Sequence, residues 1–199
     1  MDPAAPIPGV AIVLAAGRGI RMGGPKALLP VRGRPWWMEQ AQRLRAAGVP
    51  ALWVVNHRVR AAMAGARPPP DLDIADETAP MFSSLVVGLR TLAARTSMPP
   101  GVFVLPIDVP APARAVWEAL AGSGAPAAAP VLDGRTGHPV YLSWEYVRIA
   151  ILPAAESESP RLDELIRSVV SHVPVQDRDV RANLNTPEAL ARWLARTGG

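Results

Sequence analysis

The chain has 199 residues, 49% of them hydrophobic and 19% charged, with a formal net charge of +4 and no cysteine. This length makes one domain over residues 1–199 the default, and this composition excludes a disordered chain. Disulfides, thiol nucleophiles and Cys-built zinc sites are excluded; no apolar run approaches the roughly 18 residues of a membrane span and the basic residues are scattered, so neither a membrane nor a nucleic acid is expected as partner.

The opening residues, MDPAAPIPG, carry no basic stretch ahead of an apolar one, which predicts a cytoplasmic protein. Val10 to Ala15 is short, continuous and β-branched, then stopped by glycines, as a strand buried on both faces reads. Pro35 to Ala47 predicts a helix opened by proline and closed by Gly48. A strand follows at Ala51 to Asn56, a loop at the triple proline of Ala66 to Pro70, and a weaker strand at Leu72 to Ala75. Ser83 to Arg95 predicts a helix whose two opening serines offer a cap, ahead of a strand at Gly101 to Pro106 and a helix at Pro112 to Ala121. Strands are expected at Ala127 to Val131 and Pro139 to Ser143, a helix at Trp144 to Leu152 and a surface loop at Pro153 to Pro160. Arg161 to Ser171 predicts a helix, His172 to Gln176 a strand and Pro187 to Arg196 a last helix. The alternation predicts an α/β three-layer sandwich with a mostly parallel central sheet, in which ligands sit at the carboxyl ends of the strands.

The first such end carries the loop Gly17-Arg-Gly19-Ile-Arg21-Met-Gly23-Gly24-Pro25, followed by Lys26, the single lysine of a chain with 20 arginines. A compact ammonium and a planar guanidinium are not equivalent among phosphate oxygens, so the position of that lysine points to a tight anion site. Glycine backbone can converge on phosphate where a Cβ would block it. The loop is no P-loop, because Pro25 and Ala27 flank Lys26, and Met22 stands where a dinucleotide fingerprint needs its third glycine. Arg18, Arg21 and Lys26 around these glycines suit a triphosphate.

The unit Leu14-Ala-Ala-Gly-Arg-Gly-Ile-Arg-Met-Gly23 with Lys26-Ala-Leu-Leu-Pro30 resembles the signature loop of the MobA-like NTP transferases, the nucleotidyltransferases related to the molybdopterin guanylyl- and cytidylyltransferases. Gly33-Arg-Pro35, Met81-Phe-Ser-Ser-Leu85, Leu105-Pro-Ile-Asp-Val-Pro110, Gly137-His-Pro-Val140 and Asn183-Leu-Asn-Thr-Pro-Glu188 follow in that family's order over nearly the whole chain. The resemblance implies a Rossmann-like nucleotidyltransferase fold and transfer of a nucleotidyl group from an NTP to a small phosphorylated acceptor, molybdopterin, with Mg2+. A sugar phosphate or other small phosphate ester is the alternative acceptor, and a nucleotide-binding module without turnover the alternative function.

Such a transfer between two anions is a matter of positioning and neutralisation, and an acceptor phosphate, ionised near pH 7, needs no general base. The resemblance implies that Arg21, Lys26 and Asp108 are catalytic. It implies nucleotide contacts from Leu14, Ala15, Ala16, Gly17 and Gly19, and from Ser84, which as a serine opening a helix is equally a cap. Asp108, at the end of its strand, becomes the first magnesium ligand, against a role capping the helix near Pro112. Asn185 becomes the second, against a role for Asn185 or Thr186 as cap of the helix at Pro187. His138 is implied at the acceptor, against a hydrogen-bonded structural role. His57, His138 and His172 share no i, i+4 spacing, so any metal is expected to be oxygen-bound. Trp36 and Trp37 read as helix packing, against a role for one of them in lining an acceptor pocket. Ala16 matches the cytidylyl relatives, whereas Val109 stands where those relatives often carry Gln and the Asn-Leu-Asn-Thr-Pro segment resembles the guanylyl branch, so both CTP and GTP stand as donor.

Overall fold

The computed structural model describes residues 6–156 and 160–198; residues 1–5 of the opening segment and 157–159 of the expected loop lie outside the described residues. The strands are β1 (Val10–Ala15), β2 (Pro30–Val31), β3 (Arg34–Pro35), β4 (Ala51–Val55), β5 (Asp71–Ile74), β6 (Gly101–Pro106), β7 (Ala127–Leu132), β8 (Arg135–Thr136), β9 (Val140–Ser143) and β10 (Val170–Pro174). The helices are α1 (Trp36–Ala47), α2 (His57–Met63), α3 (Met81–Ala93), α4 (Arg114–Ala121), α5 (Trp144–Tyr146), α6 (Leu152–Ala154), α7 (Leu162–Ile166) and α8 (Pro187–Arg196), with a π-helical turn, Val147–Ile151, joining α5 to α6.

The main sheet has the order β10-β7-β9-β6-β1-β4-β5, with β8 beside β7, and β2 and β3 form a separate hairpin. Parallel pairs join β1 to β4 and β6, β4 to β5, and β7 to β10, while β9 runs antiparallel to β6 and β7. Successive β1 residues enter opposite cores. Ala11, Val13 and Ala15 pack with Trp36, Val59, Trp117 and Trp193, whereas Ile12 and Leu14 pack with Leu85, Leu89 and Val147. Helices therefore cover both faces, and the strand reads as an unbroken apolar run because neither face meets water. The approach of α3 to this sheet is close: a Cβ on Gly88 would lie 2.8 Å from Ile12 Cγ2, which explains a glycine in a helix interior.

Three local expectations are corrected. Asn56 is not the end of a strand but the N-cap of α2, its Oδ1 accepting from the Val59 N–H at 2.9 Å. Helix α3 starts at Met81 behind Pro80 with no side-chain cap, so neither Ser83 nor Ser84 caps it. The helix expected over Arg161 to Ser171 stops at Ile166, and the last strand begins at Val170, two residues before the expected start. There β7 offers a parallel edge to the β-branched Val170, and pairing wins over helical continuation.

The sheet also fixes where a ligand goes. Strands β4 and β5 are added on one side of β1 and β6 on the other, so the strand order reverses between β1 and β6. The crevice at such a reversal is the binding position of open α/β sheets. It is flanked by the glycine loop after β1 and the Asp108 loop after β6, which are tied together by Ile107 N–H donating to the Leu14 carbonyl at 3.1 Å.

Candidate active site

A cleft of about 580 Å³ opens at this crevice, between the glycine loop and the segment from Asp76 to Ser84. The loop folds as two 3₁₀ turns, Ile20–Met22 and Lys26–Leu28. Gly19, at φ 63°, begins the first, and a Cβ there would collide with the Gly24 carbonyl, so only glycine closes this turn. Asn56 anchors the base of the loop by donating from Nδ2 to the Ala16 carbonyl at 2.9 Å.

Lys26 is turned inward. Its Nζ donates to Asp108 Oδ2 at 3.0 Å and also to Asn185 Oδ1. Of the two caps expected for the last helix it is Thr186 that caps α8, its Oγ1 accepting from Ala189 N–H at 3.2 Å, and Asp108 does not cap α4, which opens at Ala113 with no side-chain cap. Asn185 and Asp108 are thus free to face one another across the ammonium, and their segments are joined by Leu184 N–H donating to the Asp108 carbonyl at 2.8 Å. A carboxylate and an amide carbonyl aimed at one cation position form a donor set suited to a hard divalent ion. Among the described residues no three His, Asp or Glu side chains cluster as a metal cage, so such an ion would take its other ligands from phosphate and water.

The structure brings Leu14, Ala16, Gly17, Gly19, Arg21 and Ser84 to the same cleft as Lys26, Asp108 and Asn185. Ala15 is not brought there; its side chain points into the core on the face of the sheet covered by α1. Arg21 is exposed at the rim, and Arg18 pairs with Glu77 across the opening at 3.2 Å. Asp76, beside Glu77, is held below the usual carboxylate range by the Thr78 backbone N–H and hydroxyl, with a smaller contribution from Arg18.

His138 lies in an adjoining cleft of about 340 Å³ that shares Leu14, Met81 and Pro106 with the first. Phe82, Leu85, Val104, Val140 and Ile166 give it an apolar wall, and Arg161 and Asp163 add a charged pair to its lining. The His138 Nδ1 is buried with no hydrogen-bond partner among the described residues. Burial pushes the imidazole below its ordinary value of 6.5, against the opposing pull of Asp108 and of the Val104 backbone, so the ring is neutral at pH 7.

Sequence reasoning missed two residues here. Asn56 holds the loop, and its signal was an Asn between a β-branched run and a basic helix. Gln40 is fully buried in α1 and bonds to the backbone of the Asp108 loop. Its signal was an amide among the apolar positions of that helix. Trp36, expected to pack, does so edge-on against Trp193 and also donates to the Ile107 carbonyl at 2.6 Å.

The sequence matches the MobA-like NTP transferase domain over residues 11–175. The chain belongs to this family. It is similar to the molybdenum cofactor guanylyltransferase of Xanthomonas euvesicatoria, with 29% identity over 94% of this chain and 95% of that protein. Among solved structures, a Mycobacterium sp. strain JC1 homologue of a Mycobacterium tuberculosis protein superposes with a TM-score of 0.77 at 19% identity, covering 98% of both chains. A Mycobacterium tuberculosis protein in complex with manganese superposes with a TM-score of 0.67 at 20% identity, covering 94% of this chain and 97% of that one. The MobA-like fold accounts for the crevice between β1 and β6, and membership places the chain among nucleotidyltransferases.

Proposed function

We propose that this MobA-like chain transfers a nucleotidyl group from GTP to the phosphate of molybdopterin, releasing pyrophosphate, with Mg2+ as the metal. The observation that carries the reading is the convergence of Lys26, Asp108 and Asn185 under a glycine loop at the sheet's switch point. In the reaction an acceptor phosphate oxygen forms a bond to the α-phosphorus. The bond from that phosphorus to the bridging oxygen breaks, and its electron pair leaves with pyrophosphate. No proton needs to be removed from an ionised phosphate, in keeping with a cleft whose centre holds a lysine and no histidine.

What the protein supplies is position and charge. The backbone of Ala16, Gly17 and Gly19 cradles the nucleotide, and Ser84 offers it a hydroxyl. Lys26, on its flexible stem, exchanges Asp108 for β- and γ-phosphate oxygens, and Arg21 at the rim adds a second cation for the departing pyrophosphate. Asp108 and Asn185 would hold the magnesium ion, which when bound offsets phosphate charge and polarises the α-phosphoryl group. The manganese complex of the Mycobacterium tuberculosis neighbour supports a divalent metal.

The Xanthomonas relative's name supports GTP over CTP. The apolar wall of Phe82, Leu85, Val104 and Ile166 in the adjoining cleft supports a flat heteroaromatic acceptor, whose ring faces would lie against it, with Arg161 and Asp163 left for its polar edge. There the unpartnered His138 Nδ1 offers one hydrogen bond. Pyrophosphate release measured with GTP and CTP, each against molybdopterin and a panel of sugar phosphates, tests the reading. Release only with GTP and molybdopterin is expected; release only with a sugar phosphate overturns the acceptor, and release only with CTP overturns the donor.

A further inference from the structure

Asp108 stands on a loop with no helix or strand of its own after Pro106, yet that loop is bonded along one side to α1. Residues 36, 40 and 43, spaced i, i+4, i+7, share one face of that helix. Trp36 Nε1 donates to the Ile107 carbonyl at 2.6 Å, and Gln40 Nε2 donates to the Val109 carbonyl at 2.7 Å. The other end of the same amide, Gln40 Oε1, accepts from Ala111 N–H at 2.8 Å, and Arg43 Nε donates to the Ala111 carbonyl at 2.8 Å. The carbonyls of residues 107, 109 and 111 thus turn to α1, while that of Asp108 turns the other way, to Leu184 N–H at 2.8 Å. Trp36 is 2% and Gln40 0% exposed, so no water competes for these bonds.

We infer that Gln40, seconded by Trp36, is a positioning residue for Asp108: its amide clamps the backbone on the carboxyl side of Asp108 and Trp36 the residue before it, so the carboxylate presents to the metal and triphosphate without reorganising. The inference rests on the reading of Asp108 as a metal ligand. Two features separate it from ordinary core packing. The side chain is polar at a fully buried position, and both ends of its amide are spent on backbone atoms of the segment that directly follows one functional residue. An apolar side chain of the same length would fill the space and leave the Val109 carbonyl and Ala111 N–H unpaired, free to turn the loop.

The test compares Gln40→Met, which keeps the length of the side chain, and Trp36→Phe, which keeps an aromatic ring, both removing the donor, with Asp108→Asn. Three quantities are read: the thermal midpoint, Mn2+ binding from loss of the free-ion electron paramagnetic resonance signal in the presence of a non-hydrolysable GTP analogue, and kcat and KM for GTP. Removing groups that orient a metal ligand costs on the order of 10- to 100-fold in metal affinity or activity. Gln40→Met is therefore expected to weaken Mn2+ binding about tenfold and lower kcat by a similar factor, with KM for GTP shifted less than about twofold. Trp36→Phe is expected to move the same quantities in the same direction by a smaller factor, and it decides the question should Gln40→Met not fold. Folded variants that bind Mn2+ and turn over as the unaltered protein does, beside a dead Asp108→Asn, overturn the inference and leave the function standing. An Asp108→Asn variant that binds metal and turns over normally overturns both.

Discussion

Lys26 Nζ lies 3.0 Å from Asp108 Oδ2, although the two residues are 82 positions apart in the chain. The contact joins the loops after β1 and β6, and Asn185 Oδ1 completes it from the segment entering α8. A chain with 20 arginines keeps its one lysine at the point where the oxygens of Asp108 and Asn185 share a cation.

Lys26→Ala is expected to lower kcat by roughly 10² to 10³, the scale for removing one donor to developing charge in a closed site. Lys26→Arg is expected to restore little of it, because a planar fork does not fit where a point charge sits between a carboxylate and an amide oxygen. Steady-state kinetics with saturating GTP check both, and full activity in the arginine variant would remove the argument from the lone lysine.

Asn185→Asp replaces a carbonyl oxygen with a carboxylate at the proposed metal position. Metal affinity rises with ligand charge, so the magnesium concentration giving half-maximal turnover is expected to fall roughly tenfold, and to rise in Asn185→Ala. Thr186→Ala, which removes the cap of α8, is expected to cost about 1 kcal/mol of stability and leave that midpoint unchanged.

His138 gives a pH dependence of definite sign. Its folded value is depressed below 6.5 by burial, so below that pH the unfolded chain binds more protons than the folded one. The stability tied to the neutral ring is fully present above pH 6.5 and is lost as pH falls below it. Thermal midpoints are expected to drop between pH 7 and pH 5, with a shallower drop in His138→Gln.

Asp179, only 7% exposed, accepts from Trp193 Nε1 at 2.9 Å and pairs with Arg43 and Arg196, locking α8 to α1. Asp179→Ala leaves both arginines without a carboxylate at the interface, Arg43 keeping its bond to the Ala111 carbonyl. Both arginines keep some water, so the expected loss is about 3 kcal/mol, the low end for breaking a buried pair, or on the order of 10 °C in Tm. Calorimetry checks it.

Much of this was legible in the sequence for a physical reason. Strands buried on both faces, such as β1, β4 and β6, announce themselves as unbroken apolar runs, and a glycine loop with one lysine is a local pattern. Elements whose stability is tertiary do not announce themselves. Only Val59 and Met63 are buried in α2, so its apolar signal was too thin to separate it from the strand ending at Val55. Val170 was read as helix because its partner, Ala127 on β7, lies far away in the chain. Gln40 escaped because its partners are backbone atoms of Val109 and Ala111, which leave no complementary side chain to notice. Lys26 and Asp108 were legible as residues, but their contact was not.

The most direct test of nucleotidyl transfer by this site is mass spectrometry of the product formed from GTP, Mg2+ and molybdopterin by the unaltered protein, Lys26→Ala and Asp108→Asn. A guanine dinucleotide of molybdopterin, formed with one pyrophosphate per product by the unaltered protein and lost in both variants, is the predicted result. Nucleotide binding without any joined product, or product formation surviving in both variants, would contradict it.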